Sequence, residues 1–120
     1  VKHMSRMNVE GAELYDCIIK KGNRFGCAVL TLAGTTAIAA DGPQVLFLDP
    51  GGSARNVTLW ASPQRGDWVL IVNTADAAEV ITVQTSAAGA LTPAITPTQS
   101  ESALVIYDGT AWHGMVMLGA

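Results

Sequence analysis

Val45-Leu46-Phe47-Leu48 runs straight into Asp49-Pro50-Gly51-Gly52, and Asn56-Val57-Thr58-Leu59-Trp60 follows a few residues later. Four apolar residues, a turn of Asp, Pro and Gly, and a second run of β-branched and aromatic residues read as strand, turn, strand. The two strands differ in kind. Val57-Thr58-Leu59-Trp60 partly alternates apolar with polar, as a half-exposed strand does. Val45-Leu46-Phe47-Leu48 is apolar on both faces, and so are Trp68-Val69-Leu70-Ile71-Val72 and Leu104-Val105-Ile106-Tyr107. A two-layer domain of this length leaves few strands buried on both sides. Some of these faces are therefore expected to meet another subunit. The other solution is a strongly coiled sheet that buries both faces within one chain.

Outward from that stretch the punctuation repeats. Turn signals arrive about every ten residues, at Gly34, Asp41-Gly42-Pro43, Ser62-Pro63, Arg65-Gly66-Asp67, Asn73-Thr74-Ala75-Asp76, Ala88-Gly89 and Asp108-Gly109. Between them lie candidate strands at residues 28–32, 35–39, 45–48, 56–60, 68–72, 80–84, 91–95, 104–107 and 111–118. Val, Ile and Thr are abundant, and their branched side chains suit a pleated surface. Ala is abundant too, but it clusters beside Gly, Pro, Asp or Thr, which is turn chemistry rather than helical periodicity. The spacing predicts an all-β domain, an antiparallel β-sandwich or barrel of jelly-roll-like form. The stretch 92–102, with Pro93 and Pro97, reads as an exposed loop or edge segment.

Residues 1–27 differ from the rest. They carry most of the basic residues and both cysteines, Cys17 and Cys27. Gly11, Gly22 and Gly26 argue against a long helix there. The segment is expected to be an N-terminal extended arm that packs on a neighbour, with the β-domain over 28–120. A floppy terminus or an extra edge strand is the plainer alternative. The native start is expected at Met4 or Met7. The two cysteines either close one short loop or remain two separate thiols, and the second reading suits a chain made in a reducing cytoplasm.

The chain has 120 residues, of which 49% are hydrophobic and only 14% charged, and its formal net charge is −3. One domain of this length can bury roughly two-thirds of its unfolded surface, so it needs no metal or disulfide to hold a core. The seven Lys and Arg form no patch, which argues against nucleic acid as a partner. No run of about 18 apolar residues is present, so no membrane-spanning helix is expected.

Chemistry-bearing patterns are sparse. His3 and His113 lie far apart, and neither has a partner at metal-ligand spacing. Asp41, Asp49, Asp76 and Asp108 sit at turns, where an Asp side chain bonds local backbone N–H groups. No nucleophile elbow, carboxylate pair or phosphate-cradling glycine loop stands out. No catalytic site, cofactor or metal is expected. Arg65-Gly66-Asp67 reads as a tight turn ahead of a strand rather than an adhesion triplet. Asn56-Val57-Thr58 matches a glycosylation acceptor only in form. Trp60, Trp68 and Trp112 read as packing residues of the core or an interface. A sugar-stacking platform is the rival, with Trp112 between Gly109-Thr110 and His113-Gly114 its best member.

Leu46-Phe47-Leu48-Asp49-Pro50-Gly51-Gly52, followed by Arg55-Asn56-Val57-Thr58-Leu59, resembles a strand, glycine turn and strand pattern of tailed-bacteriophage capsid decoration (cement) proteins. The later runs Val69–Asp76, Glu79–Val83 and Ala103–Trp112 continue the resemblance, which covers residue 45 to the C-terminus. The closing Tyr107-Asp108-Gly109-Thr110-Ala111-Trp112 hairpin is similar to those of many virion β-proteins, tail and head fibres included. The resemblance implies a structural virion protein on the outer capsid surface, made in the bacterial host cytoplasm. It would be a homotrimer that bridges major capsid subunits against the pressure of packaged DNA. Trp68, Leu70 and Val72 are the expected trimer contacts. Arg6, Tyr15, Lys20, Lys21 and Arg24 on the arm are the expected contacts to capsid or neighbour. A fibre or tail-tip protein that binds host surface glycans is the first alternative. A small hydrolase is the second, and it would need His113 as its base.

Overall fold

The computed structural model describes residues 26–119. Nine strands are present among them, and no helix. They are β1 Cys27–Thr31, β2 Thr36–Ala37, β3 Val45–Asp49, β4 Arg55–Thr58, β5 Trp68–Asn73, β6 Ile81–Gln84, β7 Ala90–Ile95, β8 Ser102–Tyr107 and β9 Trp112–Met117. Each of the nine expected segments falls on one of them. β1 begins at Cys27, so the last residue assigned to the arm already belongs to the sheet.

The strands form two sheets that face each other. One runs β1-β3-β5-β8-β9 and the other β2-β4-β6-β7. The all-β sandwich expected from the sequence is thus present. Its strand directions are not the antiparallel, jelly-roll-like ones expected. β1, β3 and β5 pair in parallel, with Cys27 opposite Val45 and Val45 opposite Leu70. β2, β4 and β6 also pair in parallel. Only β5–β8, β6–β7 and β8–β9 are antiparallel.

The turns explain the difference. A glycine turn after a strand reads locally as a hairpin, but here it sends the chain across to the other sheet. From β1 to β6 the chain alternates between sheets and each strand stacks beside the one two places earlier, as in a short β-coil. The turn after β3 shows how. Asp49 Oδ1 accepts the Gly51 N–H at 2.9 Å, and the Gly52 N–H donates to Glu79 Oε1 at 2.7 Å. Gly51 has φ +76°, and a Cβ there would stand 2.6 Å from the Leu32 carbonyl oxygen of the preceding coil. Only glycine lets the coils stack this closely.

Alternation along the strands builds the core. Leu46 and Leu48 of β3, Val69 and Ile71 of β5, and Ala103 and Val105 of β8 point inward. They meet Val57, Leu59, Ile81, Val83, Leu91 and Ile95 from the other sheet side. Each fully buried aliphatic side chain of this kind contributes about 1.5–3 kcal/mol. The stretch 92–102 divides in two. Pro93 lies on the edge strand β7, where a missing N–H is tolerated. After this strand the chain is a loop with Thr96, Gln99 and Ser100 exposed, anchored by buried Pro97, whose carbonyl accepts the Ile81 N–H at 3.0 Å.

Candidate assembly surface

The two outer faces of the sandwich differ sharply. On the four-stranded sheet the outward residues include Asn56, Thr58, Thr82 and Gln84, all polar. On the five-stranded sheet the outward residues are mostly apolar, with Ser102 and His113 the polar members on β8 and β9. Strand register fixes this arrangement. Val45, Leu70, Leu104 and Met115 stand side by side in one row across β3, β5, β8 and β9. Val29, Phe47 and Val72 continue into Ser102 and Met117 in the next row. Trp68 and Ile106 are partners in a third row that ends at His113.

The three strands read from sequence as apolar on both faces are β3, β5 and β8, and they are neighbours at the centre of this sheet. One face of each enters the core. The other is not buried by any of the described residues. Val45, Phe47, Trp68, Leu70, Val72 and Leu104 are half-buried by one another, while Ile106 is 45% and Met115 56% exposed. A strongly coiled sheet that hides both faces is therefore not what the described residues form.

Among the described residues the face has no Lys, Arg or Glu. Asp49, beside Thr31, marks its end along β3. Five strands at a spacing of about 4.8 Å make it roughly 19 Å across. With the length of β5 it covers on the order of 300 Å², the size at which an apolar patch on a monomer begins to signal a partner. On the opposite face of the edge strand β9, beside Ala103, Val116 is exposed as well, and so is Leu118 just past the strand's end. An exposed edge without charge or proline invites pairing.

Trp68, Leu70 and Val72, the expected trimer contacts, thus lie together along the middle of this face. Phe47, Val45, Leu104 and the two methionines of β9 join them. The signal for these was the two-sided apolar character of their strands, but the pairing order that gathers them was not readable locally. Arg6, Tyr15, Lys20, Lys21 and Arg24 lie outside the described residues, as does Cys17. Cys27 is a free, exposed cysteine at the start of β1.

The tryptophans separate into two environments. Trp68 is on the outer face of the five-stranded sheet. Trp60 and Trp112 meet edge to face, with ring centroids 5.0 Å apart and planes at 89°. Tyr107 lies 5.2 Å from Trp112. Trp60 Nε1 donates to Asp67 Oδ2 at 3.1 Å, and the same oxygen accepts the Gln64 N–H at 2.9 Å. Asp67 is thereby tied into its own turn, with Gly66 at φ +91° beside it. Arg65 Nε donates to the Asp108 carbonyl at 3.0 Å. The Arg65-Gly66-Asp67 triplet serves as a turn, as its place before β5 suggested.

His113 is exposed, and its Nε2 stands 2.6 Å from Asp108 Oδ2. Asp108 also accepts the N–H groups of Thr110 and Ala111 at 2.7 and 2.8 Å. These donors, that of Ala111 foremost and then the His113 ring, lower the Asp108 carboxyl to about 2. The pair shapes the β8–β9 turn. Among the described residues no group of three or more His, Cys, Asp or Glu is placed to hold a metal ion. No protein-family model matches the chain, and no curated protein matches it.

Proposed function

We propose that the protein is a structural virion component, a decoration protein that sits on the outside of a tailed-phage head as a homotrimer. It braces neighbouring major capsid subunits against the pressure of packaged DNA. The observation that supports assembly is the apolar outer face of the five-stranded sheet, opposite a polar outer face on the other sheet. The likeness of the stretch from residue 45 to the C-terminus to capsid decoration proteins supports the choice of assembly.

The physics of the role is that of many modest contacts. A standard interface buries about 800 Å² per partner. The apolar face supplies the centre of such an interface, and self-association through it leaves the polar face of the sandwich outward. Linking three protomers raises effective affinity for the lattice by orders of magnitude without strengthening any one contact. A surface poor in charge suits close apposition, because few ions must be stripped of water.

Copy number tests the reading. Purified particles of the phage that encodes the chain are run on a quantified gel beside the major capsid protein. Decoration requires the chain at an abundance comparable with that of the capsid protein. A handful of copies would make it a vertex or tail component, and absence from the particle would remove the virion role.

A further inference from the structure

A second feature lies away from the apolar face and shares no residue with it. Between the edge strand β7 and the β8–β9 turn runs a groove of about 430 Å³. That volume is within the range of small-molecule sites. Trp60, Tyr107 and Trp112 form its aromatic wall, and Thr85, Ser86 and Thr110 place hydroxyl-bearing residues around it. Among the described residues, no Asp, Glu, Lys, Arg or His lines it.

We infer that this groove binds a neutral carbohydrate, with a sugar ring laid against the Trp60–Trp112–Tyr107 wall. The lining selects the class. A sugar presents an apolar C–H face and a rim of hydroxyls, which match an aromatic wall bordered by hydroxyl side chains. Among the described residues none of those lining the groove is a cation that could offset the charge of a nucleotide or other anion. A purely apolar ligand would displace water from the exposed Ser86 and Thr110 hydroxyls without replacing its hydrogen bonds.

The wall is also held in place before any ligand arrives. The indole N–H of Trp60 is fixed on Asp67, Trp112 stands edge-on to Trp60, and Tyr107 leans on Trp112 from the neighbouring strand. All three rings are half-buried, so part of each remains open to the groove. Rings fixed in this way lose little conformational freedom when a ligand binds.

The test uses the full chain and a panel of neutral gluco-, galacto-, manno- and N-acetylglucosamine oligosaccharides, with sialyllactose as the anionic comparison. Binding is read from tryptophan indole N–H signals by NMR. The Trp60 and Trp112 signals should shift saturably with at least one neutral sugar, while that of Trp68, on the other sheet face, stays in place. Ser86→Arg and Thr110→Arg alter exposed rim positions and leave the core intact. Each should weaken binding by about tenfold or more. The inference is overturned if no panel member shifts the signals up to its solubility limit. It is also overturned if both arginine variants bind like the parent, or if sialyllactose binds as well as the best neutral sugar. The measurement needs no capsid, so its outcome is independent of where the protein assembles.

Discussion

The side-chain amide of Asn73 donates to the carbonyl of Glu79 at 2.8 Å and so ties one sheet to the other. Asn73 ends β5 in the five-stranded sheet, and Glu79 stands just ahead of β6 in the four-stranded one. The same amide donates to the Pro97 carbonyl at 3.1 Å, and Oδ1 accepts the Ala75 N–H at 2.9 Å. Asn73 is only 1% exposed. Removing its side chain strands buried backbone groups that water does not reach. Asn73→Ala should therefore cost about 2–4 kcal/mol in urea unfolding. Asn73→Asp should cost at least as much, because it sets an acceptor against two carbonyls. A loss under about 0.5 kcal/mol for Asn73→Ala, the level of an ordinary surface change, would mean that the sheets are joined elsewhere.

Leu70 offers the opposite case. It sits at the centre of the outer apolar face, between Val45 and Leu104, and its side chain does not enter the core. Leu70→Asp should leave the circular dichroism spectrum nearly unchanged, and any fall in the unfolding midpoint should be largest at protein concentrations where the parent is associated. It should abolish self-association in sedimentation velocity, since a carboxylate in the middle of an apolar contact would have to be desolvated without a partner. A variant that still sediments as a trimer would move the interface away from β5.

Gly114 on β9 is fixed by packing rather than by a turn. It pairs with Val105, and a Cβ there would lie 2.7 Å from Val105 Cγ1 and 2.9 Å from Ile95 Cδ1. Val105 and Ile95 belong to different sheets, so the added methyl would wedge the sandwich. Gly114→Ala should destabilise by about 1–3 kcal/mol. Combining it with Val105→Ala, which vacates the space, should give a loss smaller than the sum of the two single losses. Strict additivity would show that the methyl is accommodated without disturbing Val105.

Asp108 predicts a pH response of definite sign. Its carboxyl is lowered from 3.8 to about 2 by the N–H donors of the β8–β9 turn and by His113. The folded value lies below the unfolded one, so the turn's contribution is fully present above about pH 4. It is lost as pH falls through about 2. The side chain is exposed, so the effect is local to the turn. An NMR titration should place the Asp108 midpoint near 2, with the Thr110 and Ala111 amide signals moving together with it. A midpoint near 3.8 would mean that these hydrogen bonds do not persist in solution.

Much of the fold was legible in short stretches. The positions of the nine strands followed from β-branched runs between Gly, Pro and Asp turns, because turn chemistry and side-chain alternation are local properties. The two-sided apolar character of β3, β5 and β8 was legible for the same reason. Trp60, Tyr107 and Trp112 were visible as aromatics, but nothing local placed Trp60, from the loop after β4, against the β8–β9 hairpin. The meeting depends on how the sheets stack, and so does the groove it makes.

By itself, then, the sequence determined that the chain is all-β, where its strands lie, and that three of them are too apolar for a lone half-exposed sheet. The tertiary structure decided which strands neighbour which, that the early strands run parallel, and that the three apolar strands sit together with one face outward. The reason is physical. A strand's composition states how much of it wants to leave water, whereas its partners are chosen by backbone hydrogen bonds that carry no side-chain identity. Only the path of the chain through turns such as Asp49-Pro50-Gly51-Gly52 settles that choice. There a glycine with φ +76° and no room for a Cβ sends the chain to the opposite sheet instead of folding it back.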